Sequence, residues 1–330
     1  MMKTILITRK IPENGVKMLC DKGYEVDVNA QASIPTQTEL ISMLSKKPYD
    51  AVLSLLTDKL DAKVFASAPS VKMYANYATG FDNIDLKEAA ERGITVSNAP
   101  SDIASEAVAE HAIALMLALA ARIVEADQFV RDGKYAGWDP MNFIGTDMLG
   151  KTLGLIGAGR IGGRVAHYAR GLGQKVIYTD VKRNADIEKD SGAVYFNTSE
   201  EILKLADVVS LHVPLLESTR HLMNEARLKI MKPTAYLVNT SRGPVVDEKA
   251  LEKVLKEKVI AGAALDVFEF EPQISPGLIG LDNVILTPHI ASASIEARED
   301  MARIAATNII EFLEGRKPPN AVIGSQHQFT

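Results

Sequence analysis

KTLGLIGAGRIGG, residues 151–163, is the stretch that decides the predicted fold. Its apolar run, residues 153–156, predicts a buried strand that leads through a glycine turn into a helix. In such a unit the first glycine permits the turn, the second lets backbone amides approach a pyrophosphate, and the third allows close helix–strand packing. The pyrophosphate then lies at the positive end of the helix. Gly157, Gly159 and Gly162 therefore predict a dinucleotide site, and the alternative is a turn that serves packing alone.

The residue that ends the next strand predicts which dinucleotide binds. Residues 175–179 follow at the spacing of a strand–helix–strand unit and end in Asp180. A carboxylate there can hold both ribose hydroxyls of NAD and would repel the 2′-phosphate of NADP. Lys182 and Arg183 stand close enough to the strand end to weaken this preference. We therefore expect NAD, with NADP possible, and NADH used in preference to NADPH.

Composition excludes several classes of protein. The chain has 330 residues, 47% hydrophobic and 24% charged, so two domains can each bury a core. A formal charge of −5 offers no basic field, so we expect neither nucleic acid nor a membrane as partner. The single cysteine excludes an intrachain disulfide framework. The longest apolar run, residues 112–121, is too short to span a bilayer, and no signal-peptide core is present, so we predict a cytoplasmic protein.

Strands alternate with helices in two blocks, which predicts two parallel α/β sheets. The second block contains six predicted strands and matches a doubly wound nucleotide fold. Because the glycine turn lies in mid-chain, we predict an inserted Rossmann NAD domain, residues 100–288. The two flanking segments, residues 1–99 and 289–330, would form a flavodoxin-like substrate-binding (catalytic) domain, also doubly wound. A ligand cleft is the default expectation where two such domains join.

Two features between the blocks stay open at this point. One long helix is predicted over residues 106–130, and its apolar circumference indicates burial on more than one side. His111 lies on that helix, as either a packing histidine or a catalytic one. Trp138, the only tryptophan, lies in a loop-rich segment and is either a packing plug or a contact to a partner. Capping patterns predict further helix starts after Thr36, Thr198 and Asp247.

Three successive strand ends in the second block carry side chains suited to catalysis: Arg242, Asp266 with Glu271 beyond it, and His289. Doubly wound sheets bind ligands at this edge. A guanidinium can grip a carboxylate through two hydrogen bonds, although Arg242 alone would equally suit a surface salt bridge. A histidine paired with a carboxylate has a raised pKa and can donate a proton at neutral pH. With a nicotinamide, these groups suffice for reversible hydride transfer at an oxygen-bearing carbon.

Seven segments give the chain a resemblance to a known family: YATGFDNID (77–85), SEAVAEH (105–111), GKTLGLIGAGRIG (150–162), HVPLLEST (212–219), NTSRGPVVDEKAL (239–251), ALDVFEFEP (264–272) and TPHIAS (287–292). Over essentially its whole length the chain resembles the D-isomer-specific 2-hydroxyacid dehydrogenases. The resemblance implies reversible NAD(H)-dependent reduction of small 2-keto acids to D-2-hydroxy acids. It also implies a homodimer that closes on binding, and no metal.

The resemblance implies roles for individual residues. Arg242 corresponds to the arginine that binds the substrate carboxylate, His289 to the acid/base, and Glu271 to the carboxylate that orients it. Asp266 matches a contact to the nicotinamide carboxamide. The implied substrate-binding residues are Leu55, Ala78, Thr79, Gly80, Arg242, His289 and Trp138. The implied cofactor-binding residues are Gly157, Gly159, Arg160, Ile161, Asp180, Val213, Pro214, Thr219, Thr240, Ser241, Asp266 and Ala291.

Details of the sequence are more similar to the glyoxylate/hydroxypyruvate reductases of this family. The D-lactate subgroup usually carries a bulky aromatic pair after the histidine, whereas Ser292 and Ala293 stand here. In the reductase subgroup, a tryptophan placed like Trp138 can reach the neighbouring subunit's active site. Three alternatives stay open: a D-lactate or other D-2-hydroxyacid dehydrogenase, a formate or phosphite dehydrogenase of the same fold, and an NAD-sensing corepressor-like scaffold.

Overall fold

A computed structural model describes residues 2–323, which divide into two units. Unit 1 comprises the chain up to Ala104 and from Ala293 onward, and unit 2 is the continuous segment from Ser105 to Ser292. Each unit contains one sheet with helices around it. The assignment of substrate binding and dinucleotide binding to separate domains, with boundaries at 99/100 and 288/289, stays a prediction.

The strands, in chain order, are β1 Thr4–Ile7, β2 Glu25–Val28, β3 Ala51–Leu55, β4 Met73–Tyr77, β5 Thr95–Ser97, β6 Thr152–Ile156, β7 Lys175–Thr179, β8 Val194–Tyr195, β9 Val208–Leu211, β10 Tyr236–Asn239, β11 Gly262–Leu265, β12 Val284–Leu286 and β13 Ala321–Ile323. The α-helices are α1 Glu13–Asp21, α2 Gln37–Leu44, α3 Ala62–Ser67, α4 Leu86–Glu91, α5 Asp102–Ala120, α6 Ile123–Arg131, α7 Arg160–Gly171, α8 Ala185–Ser191, α9 Ser199–Leu205, α10 Glu225–Lys229, α11 Glu248–Lys256, α12 Pro276–Ile279 and α13 Ile295–Leu313.

The sheet of unit 1 has the strand order β2-β1-β3-β4-β5-β13. Its first five strands are parallel, in the order of flavodoxin-like folds, and β13 pairs with β5 in the antiparallel sense. Helix α13 closes one face: Gly15 of α1 has no room for a Cβ against Ala302, and the Tyr77 hydroxyl donates to the Arg298 carbonyl at 2.8 Å. The C-terminal segment therefore completes the core that the N-terminal segment begins.

The sheet of unit 2 is wholly parallel, with the order β8-β7-β6-β9-β10-β11-β12. This is the Rossmann order 3-2-1-4-5-6 extended by one strand. The prediction of two doubly wound parallel α/β domains is confirmed. The predicted six strands omitted β8, because two residues, Val194 and Tyr195, are too few to carry a periodic signal.

The prediction of one helix over residues 106–130 is wrong. Helix α5 ends at Ala120 and α6 begins at Ile123, because Arg122 takes a left-handed backbone conformation with φ of 55°. The Ala120 carbonyl, which lacks a helical partner, accepts a hydrogen bond from the amide of Thr146 at 2.9 Å. The chain therefore turns at Arg122 rather than continuing.

Helix α5 is, by length and composition, apolar enough to cross a membrane. This helix is longer than the apolar run at residues 112–121, because it begins ten residues earlier, at Asp102. Ala112, Leu115 and Leu119 are nevertheless buried among core residues of unit 2. A core helix satisfies the same two criteria, and α5 occupies that position.

Candidate active site

Two of the three fingerprint glycines are required by close packing in unit 2. Gly157 has φ of +97°, and a Cβ on it would lie 2.5 Å from the His212 carbonyl oxygen. A Cβ on Gly162 would collide with the carbonyl oxygen of Gly157, so α7 can approach the end of β6 only without a side chain there. Gly159, the N-cap of α7, has nothing within 4 Å of its Cβ position. The turn therefore presents one open glycine at the helix N-terminus.

Asp180 lies against this turn, as the sequence predicted for a ribose-binding carboxylate. It follows β7, and its Oδ2 accepts a hydrogen bond from the amide of Ala158 at 2.6 Å. Asn184 binds the other polar group of Ala158, because its Nδ2 donates to the Ala158 carbonyl at 2.7 Å. The guanidinium of Arg183 forms two hydrogen bonds with Glu188, at 2.7 and 2.8 Å. This ion pair lies at the surface, since 68% of the Arg183 side chain is exposed, and the preference for NAD over NADP stays a prediction.

Asp266, at the end of β11, organises the loop that follows β12. It is fully buried, and its Oδ1 accepts from the Thr287 hydroxyl at 2.6 Å and the Ile290 amide at 2.9 Å. Its Oδ2 accepts from the Ala291 amide at 2.8 Å. Its main-chain carbonyl accepts from the amide of His289 at 2.9 Å. Asp266 therefore fixes the backbone on both sides of the predicted acid/base; its contact to the nicotinamide carboxamide stays a prediction.

The Asp266 carboxyl is ionised in spite of its burial. Burial raises its pKa, but hydrogen bonds from His111, Thr287 and the amides of Ile290 and Ala291 outweigh that effect and place the pKa below its ordinary 3.8. His111 Nε2 lies 3.2 Å from Thr287 Oγ1 and 3.5 Å from Asp266 Oδ1. His111, for which the sequence left two interpretations, therefore lies behind the loop that carries His289.

His289 and Glu271 form the pair that the family resemblance implied. His289 Nδ1 lies 2.9 Å from Glu271 Oε2, and Glu271 Oε1 accepts from the Phe268 amide at 3.0 Å. Burial raises the pKa of Glu271, but the hydrogen bond and charge of His289, the Phe268 amide and the charge of Arg242 lower it below its ordinary 4.5. Glu271 is thus a carboxylate at neutral pH, which accepts the Nδ1–H of His289.

Arg242 lies next to the segment that carries Glu271. It precedes a short 3₁₀ turn, Gly243–Val245, and its carbonyl accepts from Asn239 Nδ2 at 3.0 Å. Its Nη1 donates to the Ser241 carbonyl at 2.8 Å. A Cβ on Gly243 would collide with the Phe268 carbonyl, so the two strand ends meet without an intervening side chain. The structure therefore brings Arg242, Glu271 and His289 to one edge of the sheet.

The residues around the glycine turn fit a dinucleotide. Thr240 Oγ1 is buried and, among the residues described, has no hydrogen-bond partner, although it lies at the ligand-binding edge of the sheet. Thr219 Oγ1 donates to the Pro214 carbonyl at 2.6 Å, which fixes the loop after β9 that also contains Val213. Arg160 and Ile161 form the first turn of α7, and Ser241 Oγ donates to Asn239 at 2.7 Å. An open glycine and an orphaned hydroxyl are the features expected of a site built for a ligand.

The predicted substrate-binding residues of unit 1 follow two adjacent strands. Leu55 ends β3, and Ala78, Thr79 and Gly80 come directly after β4. Asparagine side chains hold this second segment: the Thr79 carbonyl accepts from Asn98 at 2.6 Å, and the Gly80 carbonyl from Asn76 at 3.0 Å. Trp138, in unit 2, has 83% of its surface exposed, which excludes the packing-plug interpretation.

Another histidine–carboxylate pair, His221 with Glu269, was not predicted from the sequence. His221 Nε2 lies 2.6 Å from Glu269 Oε1, and the other carboxylate oxygen of Glu269 accepts from the Glu248 amide at 3.1 Å. Glu269 is largely buried and precedes Glu271 by two residues, so the pair anchors the segment that carries Glu271. No local pattern connects His221 with Glu269, because 48 residues separate them.

An enzyme that moves a hydride to or from an oxygen-bearing carbon needs a dinucleotide, a proton carrier and an anchor for its substrate. Unit 2 holds residues suited to all three, which defines the class as an NAD-dependent oxidoreductase. The family model described as "D-isomer specific 2-hydroxyacid dehydrogenase, NAD binding domain" matches residues 113–291. The chain belongs to the D-isomer-specific 2-hydroxyacid dehydrogenase family and reduces 2-keto acids.

Individual relatives and solved structures agree with this membership. A glyoxylate reductase of Thermococcus litoralis is 48% identical over 322 residues, 96% of each chain. The crystal structure of the TT0316 protein from Thermus thermophilus has a TM-score of 0.90 at 39% identity and covers 97% of this chain and 100% of that one. A glyoxylate reductase structure from Paecilomyes thermophila has a TM-score of 0.85 at 29% identity, over 97% of this chain and 98% of that one.

Proposed function

We propose that this chain uses NADH to reduce small 2-keto acids of the glyoxylate and hydroxypyruvate type to D-2-hydroxy acids, reversibly. The observation that carries the proposal is the His289–Glu271 pair, 2.9 Å apart at the sheet edge that also holds Arg242. Its substrate class is supported by the relatives named glyoxylate reductase and by the sequence details after His289.

The protein's part in the reaction follows from the site. Glu271 accepts the Nδ1–H of His289, so the proton to be transferred is carried by Nε2. His289 donates that proton to the carbonyl oxygen of the keto acid and takes it back in the reverse direction. Arg242 binds the substrate carboxylate through two parallel hydrogen bonds and so orients the keto group. NADH, when bound, supplies the hydride.

Further residues are assigned to binding. We propose that the backbone of Ala78, Thr79 and Gly80 contacts the substrate carboxylate and that Leu55 lies beside it. Asp180 is assigned to the ribose hydroxyls, and the remaining cofactor-binding residues are those grouped around the glycine turn and the ends of β9, β10, β11 and β12. Backbone amides suit this task, because they donate hydrogen bonds to an anion without a side chain of their own.

We also propose a cytoplasmic homodimer. Unit 2 exposes an unusual set of large apolar side chains on α6 and on the loop that follows it: Ile123, Val124, Val130, Tyr135, Trp138, Met141, Ile144 and Leu149. Exposed apolar surface concentrated in one segment is typical of a subunit interface. Sedimentation equilibrium tests this: we expect a dimer for the wild type and a monomer for the double variant Ile123→Glu, Trp138→Glu. A monomeric wild-type protein would contradict the proposal.

The function is tested by NADH oxidation with glyoxylate, hydroxypyruvate, pyruvate and phenylpyruvate. We expect the highest kcat/KM with glyoxylate or hydroxypyruvate. Highest activity with pyruvate would indicate a D-lactate dehydrogenase, and reduction of NAD by formate or phosphite would indicate those dehydrogenases. Tight NADH binding without turnover of any keto acid would indicate the scaffold.

A matched pair of histidine variants tests the mechanism. Loss of a general acid costs about 10²- to 10⁴-fold in rate, so we expect a fall in kcat of that order for His289→Ala. His167→Ala is the control, because His167 is exposed on the outer side of α7 and pairs with Asp190. Wild-type turnover by His289→Ala would refute the mechanism.

A further inference from the structure

His111 begins a chain of hydrogen bonds that ends at the backbone of His289. We propose that His111 is a positioning residue for His289: its Nε2–H, donated to Thr287 Oγ1, holds the Asp266 carboxylate where it fixes the turn that carries the acid/base. This inference rests on the proposed function, because it concerns the placement of the histidine that the mechanism uses. Nothing in the catalytic pair itself requires His111, which lies against Thr287 and Asp266 instead.

The direction of each hydrogen bond follows from counting protons. The Thr287 hydroxyl has a single proton, and it is donated to Asp266 Oδ1 at 2.6 Å. The hydroxyl oxygen can therefore only accept at its contact with His111, 3.2 Å away. A carboxylate likewise only accepts, and Asp266 Oδ1 is the second atom near the same ring nitrogen, at 3.5 Å. His111 Nε2 must carry a proton, so His111 is a donor to both.

His111 stands on a rigid support. It belongs to α5, whose neighbouring residues Ala112 and Leu115 are buried in the core of unit 2. Its side chain is 20% exposed, whereas that of Asp266 is completely buried. Because α5 is packed in the core, it moves little, and it therefore holds His111 in a fixed position beside the buried Asp266 carboxylate.

The turn at His289 needs such support. His289 has φ of 55°, a left-handed conformation that residues other than glycine adopt rarely and retain only where their surroundings enforce it. Most of the enforcing contacts come from Asp266: its carbonyl accepts from the His289 amide, which also donates to the Thr287 carbonyl, and its carboxylate accepts from the amides of Ile290 and Ala291. A small displacement of Asp266 therefore changes the direction of the catalytic ring.

The test compares variants that keep or remove the donor. His111→Gln retains an N–H at a similar reach, and we expect it to retain most of kcat. His111→Leu removes the donor, and we expect kcat to fall about 10²-fold, the cost of a displacement of about 1 Å. Thr287→Val breaks the same chain at its next link and should cause a similar fall. His167→Gln, at an exposed histidine outside the site, is the control and should match the wild type.

A double variant separates a positioning role from general loss of structure. If His111 and Thr287 act in one chain, the double variant His111→Leu, Thr287→Val should lose little more kcat than either single variant. Additive losses, equal losses for His111→Gln and His111→Leu, or wild-type kcat for His111→Leu would each overturn the inference. Should His111→Leu fail to fold, His111→Gln and Thr287→Val decide the matter through the same comparison with the wild type.

A crystal structure of the Thr287→Val protein gives a result that does not depend on activity. We expect the backbone over residues 289–291 to move and φ of His289 to leave the left-handed region. An unchanged turn would overturn this inference even if the wild type reduces keto acids. A wild type that reduces no keto acid would refute the proposed function, while a displaced turn would still support the role of His111.

Discussion

Gly159 and Gly162 differ in the space available for a side chain, so alanine should affect ligand binding at Gly159 and stability at Gly162. A Cβ at Gly159 meets no atom within 4 Å, whereas a Cβ at Gly162 collides with the Gly157 carbonyl oxygen and lies 3.2 Å from its carbonyl carbon. We therefore expect Gly159→Ala to leave the fold intact and to weaken NADH binding. Gly162→Ala should destabilise the protein before any ligand is added.

The magnitudes follow from the packing. Forcing a methyl group into a filled space costs about 1–3 kcal/mol, and alanine in a helix returns about 0.5–1 kcal/mol, so Gly162→Ala should lose about 1–2 kcal/mol. At about 2–4 °C per kcal/mol, its Tm should fall by roughly 2–8 °C. Gly159→Ala loses a capping preference of about 0.5–1 kcal/mol. Its added methyl group faces the position assigned to the pyrophosphate, and a loss of about 1.4 kcal/mol there raises Kd about tenfold.

Thermal unfolding of the protein without cofactor gives Tm, and fluorescence titration with NADH gives Kd. Gly171→Ala is the control, since Gly171 lies at the other end of α7 and also has nothing within 4 Å of its Cβ position. We expect its Tm to rise slightly and its Kd to stay at the wild-type value. The reasoning is refuted if Gly159→Ala binds NADH like the wild type, or if its Tm falls as far as that of Gly162→Ala.

Three further predictions concern charge and pH. Asp180→Ser should raise kcat/KM for NADPH relative to NADH, because the carboxylate that repels a 2′-phosphate is gone; comparable kcat/KM values in the wild type would contradict the assignment. Glu271→Gln should lower kcat about 10²-fold or more with a smaller change in Tm, and steady-state kinetics beside a melting curve would show whether activity and stability separate. Burial lowers the pKa of His212 to about 4, below its ordinary 6.5, so the unfolded chain binds more protons between these values. Stability should therefore fall by up to about 3 kcal/mol as pH drops through that window, and urea unfolding of His212→Asn should show a flatter pH dependence.

The elements that the sequence predicted are those specified by local pattern. The glycine turn at 157–162 imposes its own geometry, and short apolar runs that alternate with helical segments identify the long strands of both sheets. The capping side chains of Thr36, Thr198 and Asp247 are present as predicted, because a cap needs only its own first helical turn. The break at Arg122 could not be found in this way, since no glycine or proline marks it. Short strands such as β8 and β13 form only because a neighbouring strand offers an edge.

The sequence predicts the site residues that follow strand ends, but it does not predict the long-range hydrogen bonds that hold them in place. Topology brings the carboxyl ends of parallel strands together, which is why Arg242, Glu271 and His289 could be grouped before the structure was known. The role of Asp266 as the anchor of the His289 loop depends on bonds across more than twenty residues, from Asp266 to Ile290 and Ala291. Such contacts have no periodicity, and only the folded chain shows them.

The position of helix α13 in the chain has a consequence for the order in which the two units fold. Its partners are α1 and β4; β4 ends at Tyr77, whereas α13 begins only at Ile295. At a synthesis rate of about 5–20 residues per second, the face of the N-terminal layer that α13 covers stays exposed for tens of seconds. The inserted unit, continuous from Ser105 to Ser292, can acquire its native structure in that interval. Unit 2 can therefore fold before unit 1 is complete, and the apolar face of the N-terminal layer stays uncovered until α13 is available.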